Sequence, residues 1–338
     1  MDNGSALIWQ VASDRVIDLA YGWLCKRRQH YHCNNEVWQV RRWWTETKPI
    51  LQAQLLAGTY WFREQRLIRG SERTVELWHA MDALVLKALA IVLGEHLRPY
   101  LSERVFHLAG SGGAKAAVRE VAGQVGANAF VFRTDVKGYY ANIDHGIVME
   151  MVKRYVDDDK VLGLVGQYLA RFVSDGGEYR DIVQGISLGC PLSPLMGALY
   201  LKPLDDRMAA LGCFYVRFMD DWVILAPTRW KLRRAIRAVN EVMAALRVEK
   251  HPDKTVIGRV TRGFDFLGYW FSPGGLHVAA KTVHRMTEKV ARLYEQGATM
   301  GCIEIYLMRW WRWVRSGVAR LSRDWDVLWL TLLSVPLR

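Results

Sequence analysis

Apolar positions along the 338-residue chain change their spacing several times, and each change marks an element. From Ala6 to Leu24 they recur at helical spacing, and the aromatic, basic run VWQVRRWW follows, so residues 1–48 read as an N-terminal helical extension. Pro49 to Tyr60 reads as a short helix ending at Gly58. RLIRGSERTVELW has the pattern of two strands around a Gly-Ser turn. Between Met81 and His96, Leu84, Leu86, Leu89, Ile91 and Leu93 lie too densely for a one-sided helix, which predicts a buried one. Gly110 to Gly113 breaks the chain, Ala114 to Val125 reads as a helix and AFVFRTDV as a strand. FYVRFMDDWVILA is the next strand signal, and a basic helix from Trp230 to Leu246 follows it. After Gly275 the chain reads as helix to its end. Strands and helices mix without a repeat, which predicts an α+β core.

Composition narrows the class. A hydrophobic share of 51% with 24% charged residues is ordinary for a soluble globular chain. The 46 Lys and Arg against 34 Asp and Glu leave a net charge of +12, which favours a polyanionic partner. The longest apolar stretches, Ala83 to Leu93 and Val327 to Leu337, are interrupted or too short for a membrane span, which needs roughly 20 residues. No secretory signal opens the chain, so a cytoplasmic protein with no membrane partner is expected. The five cysteines are odd in number and scattered, as reduced thiols are. Cys25, His30, His32 and Cys33 cluster, but without the paired knuckle spacing of a zinc site.

Candidate chemistry sits on the strands. Asp135 closes an apolar run, and Asp220 and Asp221 interrupt another, where unpaired charge needs a compensating partner. A tandem Asp-Asp between aromatic and β-branched residues predicts a hairpin turn presenting both acids. Hard carboxylate oxygens suit Mg²⁺, and a third acid from a neighbouring strand would complete a two-metal site with the ions roughly 4 Å apart. Asp157, Asp158 and Asp159 read as a solvated turn between helices.

The blocks around these acids resemble the reverse transcriptase family, of the bacterial group II intron-like and retron-like kind. TDVKGYYANIDH resembles its first palm motif, GISLGCPLSPL its nucleotide-positioning motif, FMDD its acidic box, KHPDKT the lysine motif and GFDFLGY the primer grip. ILQAQLLAGTY and ERTVELWHAMDALVLKAL resemble finger motifs, so the likeness spans about Pro49 to Gly317. It implies a right-hand polymerase: fingers and palm interleaved over 49–275, with an antiparallel palm sheet, and a helical thumb over 276–338. It implies RNA-directed DNA synthesis with an RNA template, a DNA or RNA primer, dNTPs and two Mg²⁺ ions, for which Mn²⁺ could substitute. A dedicated non-coding RNA is a further candidate partner. No endonuclease, integrase, RNase H or protease block is recognisable.

The resemblance assigns roles residue by residue. Asp135, Asp220 and Asp221 become metal ligands, and Lys254 a partner for departing pyrophosphate. Arg73, with Arg66 or Arg69, becomes a triphosphate clamp. Tyr140, five residues beyond Asp135, takes the steric-gate position against a ribose 2′-hydroxyl. Gly189 lets backbone approach the nascent base pair, and Ser193-Pro194 starts the next helix. Leu188 departs from the pattern, because relatives usually carry Gln there. That keeps open a template-independent or self-primed DNA synthesis, as in phage defence. A polymerase-fold, maturase-like RNA-binding factor is the other alternative, against which the intact acids and Lys254 argue. Phe264, Leu267 and Gly268 become the primer grip. On the last helix Arg309, Arg312, Arg315, Arg320 and Arg323 fall within an arc of roughly 140°, a basic stripe suited to a nucleic-acid backbone.

Overall fold

The computed structural model describes residues 6–69 and 74–317, and the chain is mixed α+β. Its described strands run in chain order as β1 (Gln65–Arg69), β2 (Thr74–Leu77), β3 (Phe130–Thr134), β4 (Phe172–Asp175), β5 (Glu178–Asp181), β6 (Phe214–Phe218), β7 (Asp221–Ala226), β8 (Val256–Arg259), β9 (Phe264–Phe266), β10 (Tyr269–Ser272) and β11 (Gly275–Val278). The chain divides into two compact units, each assembled from separate segments.

The first unit comprises 1–102, 137–203 and 242–249. Its sheet has the order β2-β1-β4-β5. The β1–β2 hairpin is antiparallel, as RLIRGSERTVELW predicts, while β1 meets β4 in parallel. The expected buried helix is Ala80–Leu97, with Leu84, Val85, Leu86, Leu89, Val92 and Leu93 all buried. The helix before β1 ends at Gly58 as expected, in a left-handed cap at φ 73°. It starts at Trp44 rather than Pro49, because Trp43 already supplies the first accepting carbonyl, to Thr47. Asp158 is more than a solvated turn. It caps the Asp159–Leu169 helix through Lys160 N–H and Val161 N–H, and also accepts from Ile8 N–H at 2.8 Å.

The second unit comprises 103–136, 204–241 and 250–338. Its sheet, β6-β7-β3-β8, is antiparallel throughout. One face packs on the Gly113–Gln124 helix through Ala117, Val118 and Val121, with Val131, Val216, Val223 and Leu225 supplied by the strands. A second antiparallel sheet, β11-β10-β9, adds Phe264, Phe266, Tyr269 and Phe271 to the same core. The expected helix after Gly275 is preceded by strand β11. Four residues are too few to show a period, and only pairing with β10 defines them as a strand. The helices Ala280–Glu295 and Met300–Gly317 follow. Among the described residues no helix is long and apolar enough to cross a membrane.

Candidate active site

Two neighbouring strands deliver the acids. Side chains alternate faces along a strand, so Val131 and Arg133 share one face on β3, with Asp135 next in that alternation just past its end, and Leu225, Val223 and Asp221 share it on β7. Val131 lies opposite Leu225 and Arg133 opposite Val223. The same register carried on by two places sets Asp135 beside Asp221. Both acids therefore stand where the apolar core face runs out.

The hairpin expected from FMDD is present. Phe218 pairs with Asp221 across a two-residue turn of Met219 and Asp220. Met219 is left-handed at φ 58°, a conformation that costs a non-glycine residue about 1–2 kcal/mol. Its N–H donates to His107 Nδ1 at 2.9 Å, and its carbonyl accepts from Arg217 at 2.9 Å. Arg217 and Asp205 are fully buried and paired through two contacts, Nε to Oδ1 at 2.8 Å and Nη2 to Oδ2 at 2.5 Å. The Tyr215 hydroxyl also donates to Asp205, at 2.8 Å.

Two cations stand on the acids. Lys254 Nζ lies 2.5 Å from Asp135 Oδ2, and Arg133 donates to Asp221 Oδ2 at 3.0 Å. The loop carrying Lys254 hangs from the Asp135 carbonyl through His251 N–H at 2.9 Å. Arg133 also donates to the Lys254 carbonyl at 3.1 Å and lies 3.8 Å from Asp265. The other carboxylate oxygens, Asp135 Oδ1 and Asp221 Oδ1, are buried and have no hydrogen-bond partner among the described residues. Burial pushes the Asp221 carboxyl up to about 7 against the pull of Arg133, with the Asp135 and Asp220 charges adding to the rise. Burial raises Asp220 as well, and the Asp135 charge acts in the same direction. Buried carboxylate oxygens without a hydrogen-bond partner among the described residues fit a hard divalent cation such as Mg²⁺, and Asp135 and Asp221 would supply them. Among the described residues no group of three or more His, Cys, Asp or Glu side chains is placed to hold a metal ion together.

A cleft of about 870 Å³ opens over these acids. Its far wall is aromatic: Tyr306, Trp310 and Trp313 from the last described helix, with Trp270 from β10. Leu267 and Gly268 line it, at the tight turn between β9 and β10. A Cβ on Gly268 would lie 2.7 Å from the Trp313 ring, so this turn requires glycine both for φ (+86°) and for space. Phe264 instead is 1% exposed and stacks on Phe271, so within the primer-grip block it is Asp265, Leu267 and Gly268 that line the cleft. Arg309, Arg312 and Arg315 are exposed and do not line the cleft. Arg320 and Arg323 lie outside the described residues.

Lys115, which no sequence pattern singles out, fixes the aromatic wall. Its ammonium lies 3.6 Å from the Trp313 ring centroid and donates to the Trp313 carbonyl at 2.6 Å. Burial lowers it to about 8, with Arg119 adding. Arg133 is a second residue that motif and composition pass over. Its signal is a cation two places before an acid, hence on the same strand face.

The remaining candidates belong to the first unit. Tyr139 is buried and its hydroxyl donates to the Gly197 carbonyl at 2.5 Å, whereas Tyr140 is half-buried. The backbone of Tyr140 accepts from Ile186 N–H at 2.7 Å, and Ile143 from Gly185 N–H at 2.8 Å. These bonds tie the Tyr139–Asn142 helix to the loop that carries Leu188 and Gly189. A Cβ on Gly185 would lie 2.8 Å from the Ala141 carbonyl, so only glycine permits that approach. Leu188 is 43% exposed. The loop is anchored through Ser187, which accepts from Trp78 Nε1 at 3.0 Å and whose carbonyl accepts from Ser193 Oγ at 2.6 Å. Ser193 and Pro194 open the Ser193–Tyr200 helix as expected. Arg66 is in β1 and Arg69 ends it, while Arg73 lies outside the described residues.

Residues 70–271 match the family model for reverse transcriptase (RNA-dependent DNA polymerase), and the chain belongs to that family. It is 24% identical over 209 residues to the group II intron-encoded protein LtrA of Lactococcus lactis subsp. cremoris, covering 60% of this chain and 34% of that protein. To the putative COX1/OXI3 intron 1 protein of Saccharomyces cerevisiae it is 21% identical, over 60% of this chain and 25% of that one. To protein YkfC of Escherichia coli it is 24% identical, over 41% and 46% of the two chains. The chain thus spans a quarter to under half the length of these relatives. A chain of the solved "Partial Cas6-RT-Cas1--Cas2 complex" aligns with a TM-score of 0.46 at 19% identity, over 72% of this chain and 42% of that one.

Proposed function

We propose that this chain is an RNA-directed DNA polymerase that extends a DNA or RNA primer with dNTPs on an RNA template. The observation that carries it is the pair of buried oxygens of Asp135 and Asp221, without a hydrogen-bond partner among the described residues, that line the cleft. Asp135, Asp220 and Asp221 would hold two Mg²⁺ ions. When bound, these would supply the positive charge that activates a primer 3′-hydroxyl and stabilises the phosphate being displaced. Lys254 would shift from Asp135 to the departing pyrophosphate and donate charge or a proton there. In this reading residues 1–48 are a helical extension, 49–275 the fingers and palm of a right-hand polymerase, and 276–338 its thumb. Arg73 and Tyr140 would contact the incoming nucleotide, and Leu267 and Gly268 the primer end.

Replacing Asp221 with Asn keeps size and removes charge, so primer extension should fall at least about 100-fold while circular dichroism stays unchanged. Near-native synthesis by folded Asp221→Asn would defeat the assignment. Leu188 supports a second reading, template-independent or self-primed synthesis, because an exposed apolar side chain replaces an amide. Labelled DNA made without added template or primer would favour it. Strict dependence on both would exclude it.

A further inference from the structure

Charge in the cleft is almost balanced before any ion arrives. Four carboxylates line it, and so do four cations, of which Arg133 and Lys254 touch the acids. Arg133 is only 8% exposed, on a strand face that it shares with Val131, Val223 and Leu225 as well as with the acids. An apolar side chain would serve packing there better, because a buried guanidinium must be compensated. Its compensation is Asp221, the Lys254 carbonyl and Asp265, so it cannot swing to water without leaving those partners. A divalent ion entering on Asp135 Oδ1 and Asp221 Oδ1 would meet both side-chain cations at short range, and like charges at that range oppose binding.

We propose that Arg133, together with Lys254, is a built-in counter-charge. The pair keeps the carboxylates assembled without metal and weakens divalent-ion binding until a nucleoside triphosphate brings its own negative charge. Metal and nucleotide then load together. The inference rests on the metal-binding reading of the acids given above.

The test is Mn²⁺ binding to the full chain without nucleotide, followed by electron paramagnetic resonance of the free ion. Removing either counter-charge, by Arg133→Gln or by Lys254→Met, should tighten Mn²⁺ binding roughly tenfold or more. Adding Asp221→Asn should abolish that gain. Arg133→Lys, which keeps the charge, should bind as the wild type does. Should Arg133→Gln fail to fold, Lys254→Met decides alone, since that side chain is 42% exposed and leaves no buried void. Unchanged or weaker binding in the folded variants overturns the counter-charge. If the wild type then still loses Mn²⁺ on Asp221→Asn, the metal site stands without it. A gain that survives Asp221→Asn puts the ion elsewhere and overturns both.

Discussion

A carboxylate on the core face of a strand needs compensation, and Asp221 receives it unevenly: one oxygen takes Arg133, and the other takes no hydrogen bond among the described residues. That asymmetry suits one fixed partner and one exchangeable cation on the same residue, and burial, which lifts its carboxyl to about 7, is the cost that a bound cation would offset. Adjacent tyrosines divide in a similar way. Tyr139 is held in packing by the Gly197 carbonyl, whereas Tyr140 is half-buried, and in the proposed reading Tyr140 is the ring that chooses the sugar. Tyr140→Ala should remove a clash felt only by a ribose 2′-hydroxyl. The single-turnover ratio of rNTP to dNTP incorporation on one primer-template should therefore rise about tenfold. A shift in Tyr139→Ala instead would move the gate by one residue.

At the level of elements, the acidic hairpin does not hold its shape alone. Its left-handed Met219 is supported by His107 and Arg217, and Arg217 is fixed by Asp205, far from the turn in sequence. Removing one partner strands a buried charge, so Asp205→Ala should cost about 3–5 kcal/mol in denaturant unfolding. Replacing both partners, Asp205→Leu with Arg217→Met, should recover most of that stability. Activity should stay low in the double variant, because the Met219 carbonyl has lost its donor. Full activity with recovered stability would show that the turn needs no such support. The turn between β9 and β10 depends on its neighbours in the same way, since Trp313 occupies the space where a Gly268 side chain would be.

Across the whole molecule the net charge of +12 suits a polyanion, and the exposed arginines of the Met300–Gly317 helix are the place to test it. Every phosphate left without its arginine lowers the salt dependence of log affinity by about 0.9 units, so Arg309→Ala with Arg312→Ala should flatten the slope by about two. A salt titration of primer-template binding measures this. An unchanged slope would leave nucleic-acid binding to the cleft wall of Tyr306, Trp310 and Trp313.

Hydrophobic patterning alone locates the strands and helices with long periodic runs, the buried Ala80–Leu97 helix and the hairpin that carries Asp220 and Asp221. It also singled out the acids, because a charge inside an apolar strand run is a local signal that alternation places on a face. Strand β11 and the earlier start of the Trp44–Ala57 helix were hidden, since their signal lies in a pairing partner and in one accepting carbonyl. Which cation stands on which acid, that Arg217 reaches Asp205, and that Phe264 is core while Leu267 and Gly268 reach the cleft emerge from the folded packing alone. Periodicity reports the face a residue takes on its own element. It carries no information about which distant side chain meets that face, and the pairing of buried charges is settled only there.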